Sequence, residues 1–301
     1  MIETITRTTN NGIDILTIDV PDKSMNVVTP EMRENLRAAA ARLRDNDDII
    51  GAIITSAKKD FMAGGDLKAM LQRFDFNKSS EQVYEESRVF GDIIRQLETS
   101  GKPVVAAING LALGGGFELA LACHYRVVAD LPRLVLGLPE ATLGLMPGAG
   151  GTQRVSRMIG ARAALPLLQT GKTMTAQKAQ ELGLIDEIVP ADKLLESAEA
   201  WIRHSGDPVQ RWEQDSYQVP GGSKISDPEL VSLYNSESVK QALATRGNRP
   251  APLAILTAVA RGLPLPFDAG MRVERRQFVK LMMNPVTRNF IRTQFVSKGE
   301  A

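Results

Sequence analysis

Residues 103–123 read PVVAAINGLALGGGFELALAC. The opening run, PVVAAI at 103–108, is apolar throughout and rich in β-branched residues, the pattern of a strand covered on both faces. Gly114, Gly115 and Gly116 then break the run, and the apolar string FELALACHY from Phe117 reads as a helix. A second buried run, IIGAIITS, lies upstream at 49–56. Before it, TPEMRENLRAAAARLRDN starts at Thr29 with a capping hydroxyl, Pro30 in the first turn and an acidic opening, which mark a helix. Strand, helix and buried strand in succession predict an α/β layer architecture.

Working outward, Ile2, Thr4 and Thr6 alternate, Asn10-Asn11-Gly12 turns, and IDILTIDV follows at 13–20, predicting a β-hairpin at the start of the chain. An amphipathic helix is expected over 80–98, with Val83, Phe90, Ile93, Ile94 and Leu97 on one face. Strands are expected at 126–129, 134–138 and 184–189, and helices at 151–159, 162–169, 175–182 and 192–204. From Ser205 to Arg249 the chain turns to Gly, Pro, Ser and charge with little periodicity, so a boundary or long connection is placed there. Two helices, 252–261 and 267–295, close the chain.

Hydrophobic residues make up 43% and charged residues 24%, which excludes wholesale disorder and a fibrous protein. Thirty-six Lys plus Arg against thirty-five Asp plus Glu leave a charge of +1, so no global field draws the chain to nucleic acid or a membrane. Any anionic ligand must be held locally. Cys123, His124 and His204 are too few for a zinc site, and one cysteine makes no internal disulfide. With MIETITRTTN showing neither signal nor transit character, and no long apolar run, a reducing, cytoplasmic setting is expected.

Two glycine turns, AGGD at 63–66 and GGG at 114–116, each precede a helix and so can present bare amides with partial positive charge, which suits a negative oxygen. Two carboxylates, Glu118 and Glu140, sit among apolar neighbours. Apolar surroundings can drive two pKa values apart, which is how one site supplies both an acid and a base. Other motifs fail on their own terms. Gly171-Lys172-Thr173 has Pro166 where a phosphate loop needs glycine, while Leu119 and Gln153 occupy the third glycine position of the dinucleotide fingerprint, so no nicotinamide site is expected. Cys123 reads as an inert residue inside a helix, and His204 as a surface residue at a helix end.

These residues resemble the crotonase (enoyl-CoA hydratase/isomerase) superfamily over roughly residues 2–204. FMAGGDL at 61–67 resembles F-x-A-G-x-D-L/I, AINGLALGGGFEL at 107–119 resembles IAxxNGxALGGGxEL, and 138–154 resembles LPExxLGLxPGxGGTQR. YRVVAD, LGLPEATLGLMPG and the C-terminal extension are similar, more closely, to the hydratase domain of multifunctional fatty-acid oxidation α-subunits. The resemblance implies an α/β fold of crotonase type, a (ββα)n spiral core over 1–204 with a linker and C-terminal helical extension over 205–301. It implies hydration of trans-2-enoyl-CoA in β-oxidation, with Δ3-Δ2 isomerisation as a companion activity. By resemblance, Gly65 and Gly115 supply the oxyanion hole, and Glu118 and Glu140 are the catalytic pair. Ala63, Asp66, Gly114, Lys23 and Lys68 would meet the CoA moiety, and Phe61, Met62, Leu67 and Met70 the acyl chain. Coenzyme A enters as part of the substrate and no separate cofactor is implied. The expected assembly is a homo-oligomer, a trimer, or a partner of a dehydrogenase or thiolase module. A thioesterase, decarboxylase or dehalogenase of the same fold is disfavoured by the paired glutamates; the alternative from another class is a catalytically silent relative that binds RNA or another subunit, with the near-zero charge counting against RNA.

Overall fold

The structure is a computed structural model that describes residues 2–74 and 78–293; the side chains of Leu67, Lys68, Gln72 and Arg73 lie outside that description. The chain runs β1 (Ile5–Asn10), β2 (Ile13–Ile18), α1 (Pro30–Asp45), β3 (Gly51–Ser56), α2 (Leu67–Phe74), α3 (Ser80–Glu98), β4 (Val104–Ile108) and β5 (Ala112–Leu113). It continues through α4 (Gly115–Ala122), β6 (Tyr125–Ala129), β7 (Leu136–Gly137), α5 (Gly151–Thr170), α6 (Ala176–Glu181), β8 (Glu187–Val189) and α7 (Leu194–Ser205). Four helices end it: α8 (Pro228–Thr245), α9 (Ala251–Gly262), α10 (Phe267–Met282) and α11 (Pro285–Ile291). Among the described residues, no helix is long and apolar enough to cross a membrane. The fold is the expected mixed α/β type with a C-terminal helical region.

Two compact units divide the chain. The first gathers Met1–Gly65, Val89–Gly137 and Thr173–Asp215 and holds a six-stranded sheet in the order β1-β2-β3-β4-β6-β8. The predicted hairpin forms its antiparallel edge, Ile5 opposite Ile18 and Asn10 opposite Ile13, and every later pairing is parallel. Parallel strands need cover on both faces, hence the apolar runs that marked β3 and β4. On one face Leu194, Ala198 and Ile202 of α7, spaced four residues apart, cover Ile13, Ile53, Val105 and Val127. The ring of Trp201 stacks on Tyr125 at 4.8 Å. Each large aliphatic side chain buried this way is worth roughly 1.5–3 kcal/mol. The capping reading of Thr29 holds, since its hydroxyl accepts from the Met32 N–H at 3.1 Å.

The second unit gathers Asp66–Arg88, Leu138–Lys172 and Ser216–Ala301. Here α5 packs with α9 and α10. The two helices expected at 151–159 and 162–169 meet at Gly160, whose φ of 78° and ψ of 157° kink α5. Three expectations need correction. The segment 205–249 contains an 18-residue helix, α8, invisible to periodicity because Leu230 is its only residue buried among those described. The helix expected over 267–295 breaks at Asn284, because Pro285 bars helical geometry from the residue before it; Phe295 lies outside the described residues. Cys123 falls just past the end of α4 rather than inside it, still buried.

Next to it, His124 carries a pH prediction. Its Nδ1 accepts from the Val104 N–H at 3.0 Å, and Nε2 lies 3.1 Å from the Glu98 carbonyl, the pairing of a neutral ring with its proton on Nε2. Burial lowers its pKa below the ordinary 6.5, against the opposing charge of Glu98. The unfolded chain therefore takes up a proton near pH 6.5 that the folded chain refuses, and stability falls as pH drops through that value. Tm is expected to fall between about pH 7.5 and about pH 5.5, and His124→Gln to reduce that slope. An unchanged slope in the variant would remove His124 as the cause.

Candidate functional site

Because β3 and β4 are parallel, with Ile53 beside Val105, their C-terminal ends face one edge of the sheet, where open α/β sheets place ligand sites. The segments that follow them are stitched together. The Met62 N–H donates to the Leu111 carbonyl at 3.1 Å, and the Leu113 N–H returns to the Met62 carbonyl at 2.9 Å. The Ala63 N–H donates to the Asn26 carbonyl at 2.9 Å, and the Val28 N–H to the Gly64 carbonyl at 2.8 Å. The two glycine turns thus meet inside the first unit. At Gly64, φ is +91°, and a Cβ there would lie 2.9 Å from both the Gly115 nitrogen and the Leu113 carbonyl oxygen. At Gly116 a Cβ would come within 2.4 Å of the Met62 carbonyl oxygen. Only glycine allows backbones to approach this closely.

The approach leaves two amides available. Gly115 opens α4, and the first N–H groups of a helix have no intrahelical acceptor. Gly65 pairs with Val28 in a parallel bridge that uses the Gly64 carbonyl, so its own N–H stays outside the ladder. Neither amide donates to a backbone acceptor among the described residues. Two such donors on adjoining turns, one at the positive end of a helix, suit an oxygen that gains negative charge.

Glu118 lies three residues after Gly115 on α4, a spacing that puts both on one helical face. It is only 3% exposed, and every neighbour from Gly116 to Ala122 is buried as well. An ionised group among apolar neighbours is costly to bury unless it is paired. Gly114 is buried and caps α4 with φ 53° and ψ −131°. Ala63 is half-buried, and its N–H is the one held by Asn26. Lys23 is exposed, and its carbonyl accepts from Lys58 Nζ at 2.9 Å, the same ammonium that pairs with Asp19. Phe61 and Met62 are fully buried and pack the first unit's core.

The remaining candidates belong to the second unit. Asp66 accepts from the Ala69 N–H at 3.1 Å through Oδ1 and caps α2. Lys68 and Leu67 sit in α2 with side chains outside the described set, and Met70 is half-buried. Glu140 lies half-buried in the short turn Pro139–Leu143, where its carbonyl accepts from the Leu145 N–H at 3.0 Å.

One residue escaped the sequence reading. Asn26, fully buried, accepts from the Val20 N–H and donates to the Ile18 and Phe61 carbonyls and to Ser56 Oγ. In a turn-rich segment it reads as a mere turn former, and its partners lie up to 35 residues away. Gly64, inside the AGGD turn that the sequence singles out, is a position where the close approach demands glycine.

A model of the enoyl-CoA hydratase/isomerase family matches residues 8–210. Among solved structures, an enoyl-CoA hydratase from Bacillus anthracis is 26% identical over 99% of this chain and 97% of its own, with a TM-score of 0.59. A probable enoyl-CoA hydratase/isomerase from Mycobacterium abscessus is 28% identical over 67% of this chain and 73% of its own, TM-score 0.56. The human mitochondrial delta3-delta2-enoyl-CoA isomerase shares the fold, with 21% identity, coverage of 99% of each chain and a TM-score of 0.68.

Proposed function

The chain belongs to the enoyl-CoA hydratase/isomerase family, and from that premise we propose that it catalyses reversible addition of water across the C2–C3 double bond of a trans-2-enoyl-CoA. The observation that carries this reading is the junction of the Gly64-Gly65 and Gly114-Gly115 turns, with a buried carboxylate one helical turn further on. As water adds at C3, charge moves through the double bond onto the thioester oxygen. The Gly65 and Gly115 amides would hold that oxyanion, each donor being worth about 10²–10³ in rate. Glu118 would orient the water and take its proton, and Glu140 would deliver the proton to C2. The atoms balance: the hydroxyl goes to C3, one proton goes to C2, and each carboxyl group returns to its starting state after exchange with solvent.

Isomerisation of a 3-enoyl to a 2-enoyl thioester needs the same oxyanion donors but a single carboxylate, to move a proton between C2 and C4. The presence of both Glu118 and Glu140 is why hydration comes first. Backbone around Ala63 and the lysines Lys23 and Lys68 are proposed to meet the CoA moiety, and Gly114 to support the amide pair.

The test is loss of enoyl-thioester absorbance when the protein meets crotonyl-CoA and a longer enoyl-CoA without NAD. Wild type is expected to turn over, and Glu140→Gln to slow it by about 10²–10⁴. Turnover of a 3-enoyl-CoA alone, with none of either 2-enoyl substrate, would replace hydration by isomerisation.

A further inference from the structure

The sequence PGAGGTQR at 147–154 has the look of an anion-binding helix start, yet in the second unit that start is filled from within the chain. Glu274 of α10 is 1% exposed. It accepts from the Gly150 N–H at 2.7 Å and from the Thr152 N–H at 2.9 Å and hydroxyl at 2.5 Å. The N-cap of α5 is Gly150, with no side chain to cap the helix, so a carboxylate 124 residues away does the capping. Burial pushes the Glu274 carboxyl up, opposed by these hydrogen bonds and by the charge of Arg154. Three donors converging on two oxygens is the geometry of an acceptor-only group.

Glu274 is one of a row of holds on the segment that follows Glu140. Four residues on, the Gly144 carbonyl accepts from Thr287 Oγ1 at 3.1 Å, and a Cβ on Gly144 would lie 3.3 Å from Phe290. At Gly148 a Cβ would lie 2.8 Å from the ring of Phe278. Glu274 closes the row at Gly150. Between Glu140 and α5, then, α10 and α11 grip the backbone at three points, and the glycines leave no side chains to cushion the contact.

We infer that the α10–α11 arm, with Glu274 as its polar anchor, positions Glu140 for proton transfer at C2. The inference rests on the proposed role of Glu140. Glu274 touches no reacting atom; it is a positioning residue acting through the loop. Glu274→Gln places an amide NH₂ among donors and should release the loop, and displacement of a catalytic group by about 1 Å costs up to roughly 10²-fold.

The test combines turnover of crotonyl-CoA with hydrogen exchange of peptides spanning 144–156. Glu274→Gln is expected to speed exchange in those peptides and to lower kcat by about 10–100-fold with KM little changed. In a Glu140→Gln background the same change should add almost nothing to the loss. Thr152→Val, which removes the hydroxyl donor to Glu274 and the acceptor it offers to Gln153 Nε2, should give a smaller shift of the same kind and serves if Glu274→Gln does not fold. Unchanged exchange in both variants overturns the anchor. Losses that multiply with those of Glu140→Gln overturn the route through Glu140. If Glu140→Gln itself turns over normally, the role of Glu140 fails, and exchange alone then reports on the anchor.

Discussion

Glu118→Gln is expected to lower kcat for hydration of crotonyl-CoA by about 10²–10⁴, the usual worth of a positioned general base, with KM little changed. The amide keeps the size and most of the hydrogen-bonding reach of the carboxylate but cannot accept a proton from water. The fold should not suffer. Glu118 is 3% exposed, and Gln is close to it in size and shape. Tm should therefore change little while activity collapses, a split that a mere packing residue would not produce. A variant with lower Tm and nearly normal kcat would assign Glu118 to structure and leave the proposed water activation without its base.

Gly64→Ala is expected to cost about 10²–10³ in kcat by a different route. Side-chain substitution cannot delete a backbone amide, but it can push one away. A methyl group at position 64 would sit 2.9 Å from the Gly115 nitrogen, so the two turns must part and their donors lose a shared target. The positive φ adds strain of order 1–3 kcal/mol for any residue other than glycine. These two contributions can be separated with Gly101→Ala. Gly101 also has a positive φ, +78°, but a Cβ there meets nothing within 4 Å. That control should lose some stability and keep full activity. If Gly64→Ala keeps its activity too, the oxyanion reading of the glycine junction is wrong.

The parts of this molecule that could be read before any coordinates were those whose signal is local. Thr29 and Pro30 open α1 because a hydroxyl and a fixed φ act within one turn. The apolar runs of β3 and β4 announce burial on both faces, and Asn10-Asn11-Gly12 turns the hairpin with Asn11 and Gly12 at positive φ. The AGGD and GGG turns and the carboxylates Glu118 and Glu140 stood out because charge or glycine in an apolar string is conspicuous wherever it folds, whereas Gly65 and Gly115 were singled out within those turns only by the family resemblance.

Tertiary structure alone decided the rest. Asn26 ties together four groups from two stretches of chain, Ile18 and Val20 nearby and Ser56 and Phe61 30 and 35 residues away, and nothing in its own segment foretells the distant pair. Glu274 looks like one more charge on an amphipathic helix until the start of α5 arrives beside it. The order of β4, β6 and β8, and the close approach at Gly64, are likewise set by which backbones meet. Helix caps, turns and hydrophobic runs are energies of neighbouring residues and so are written along the chain. A buried hydrogen-bond hub or a carboxylate on a distant helix end is an energy of complementarity between remote segments, and it comes into being only when they pack.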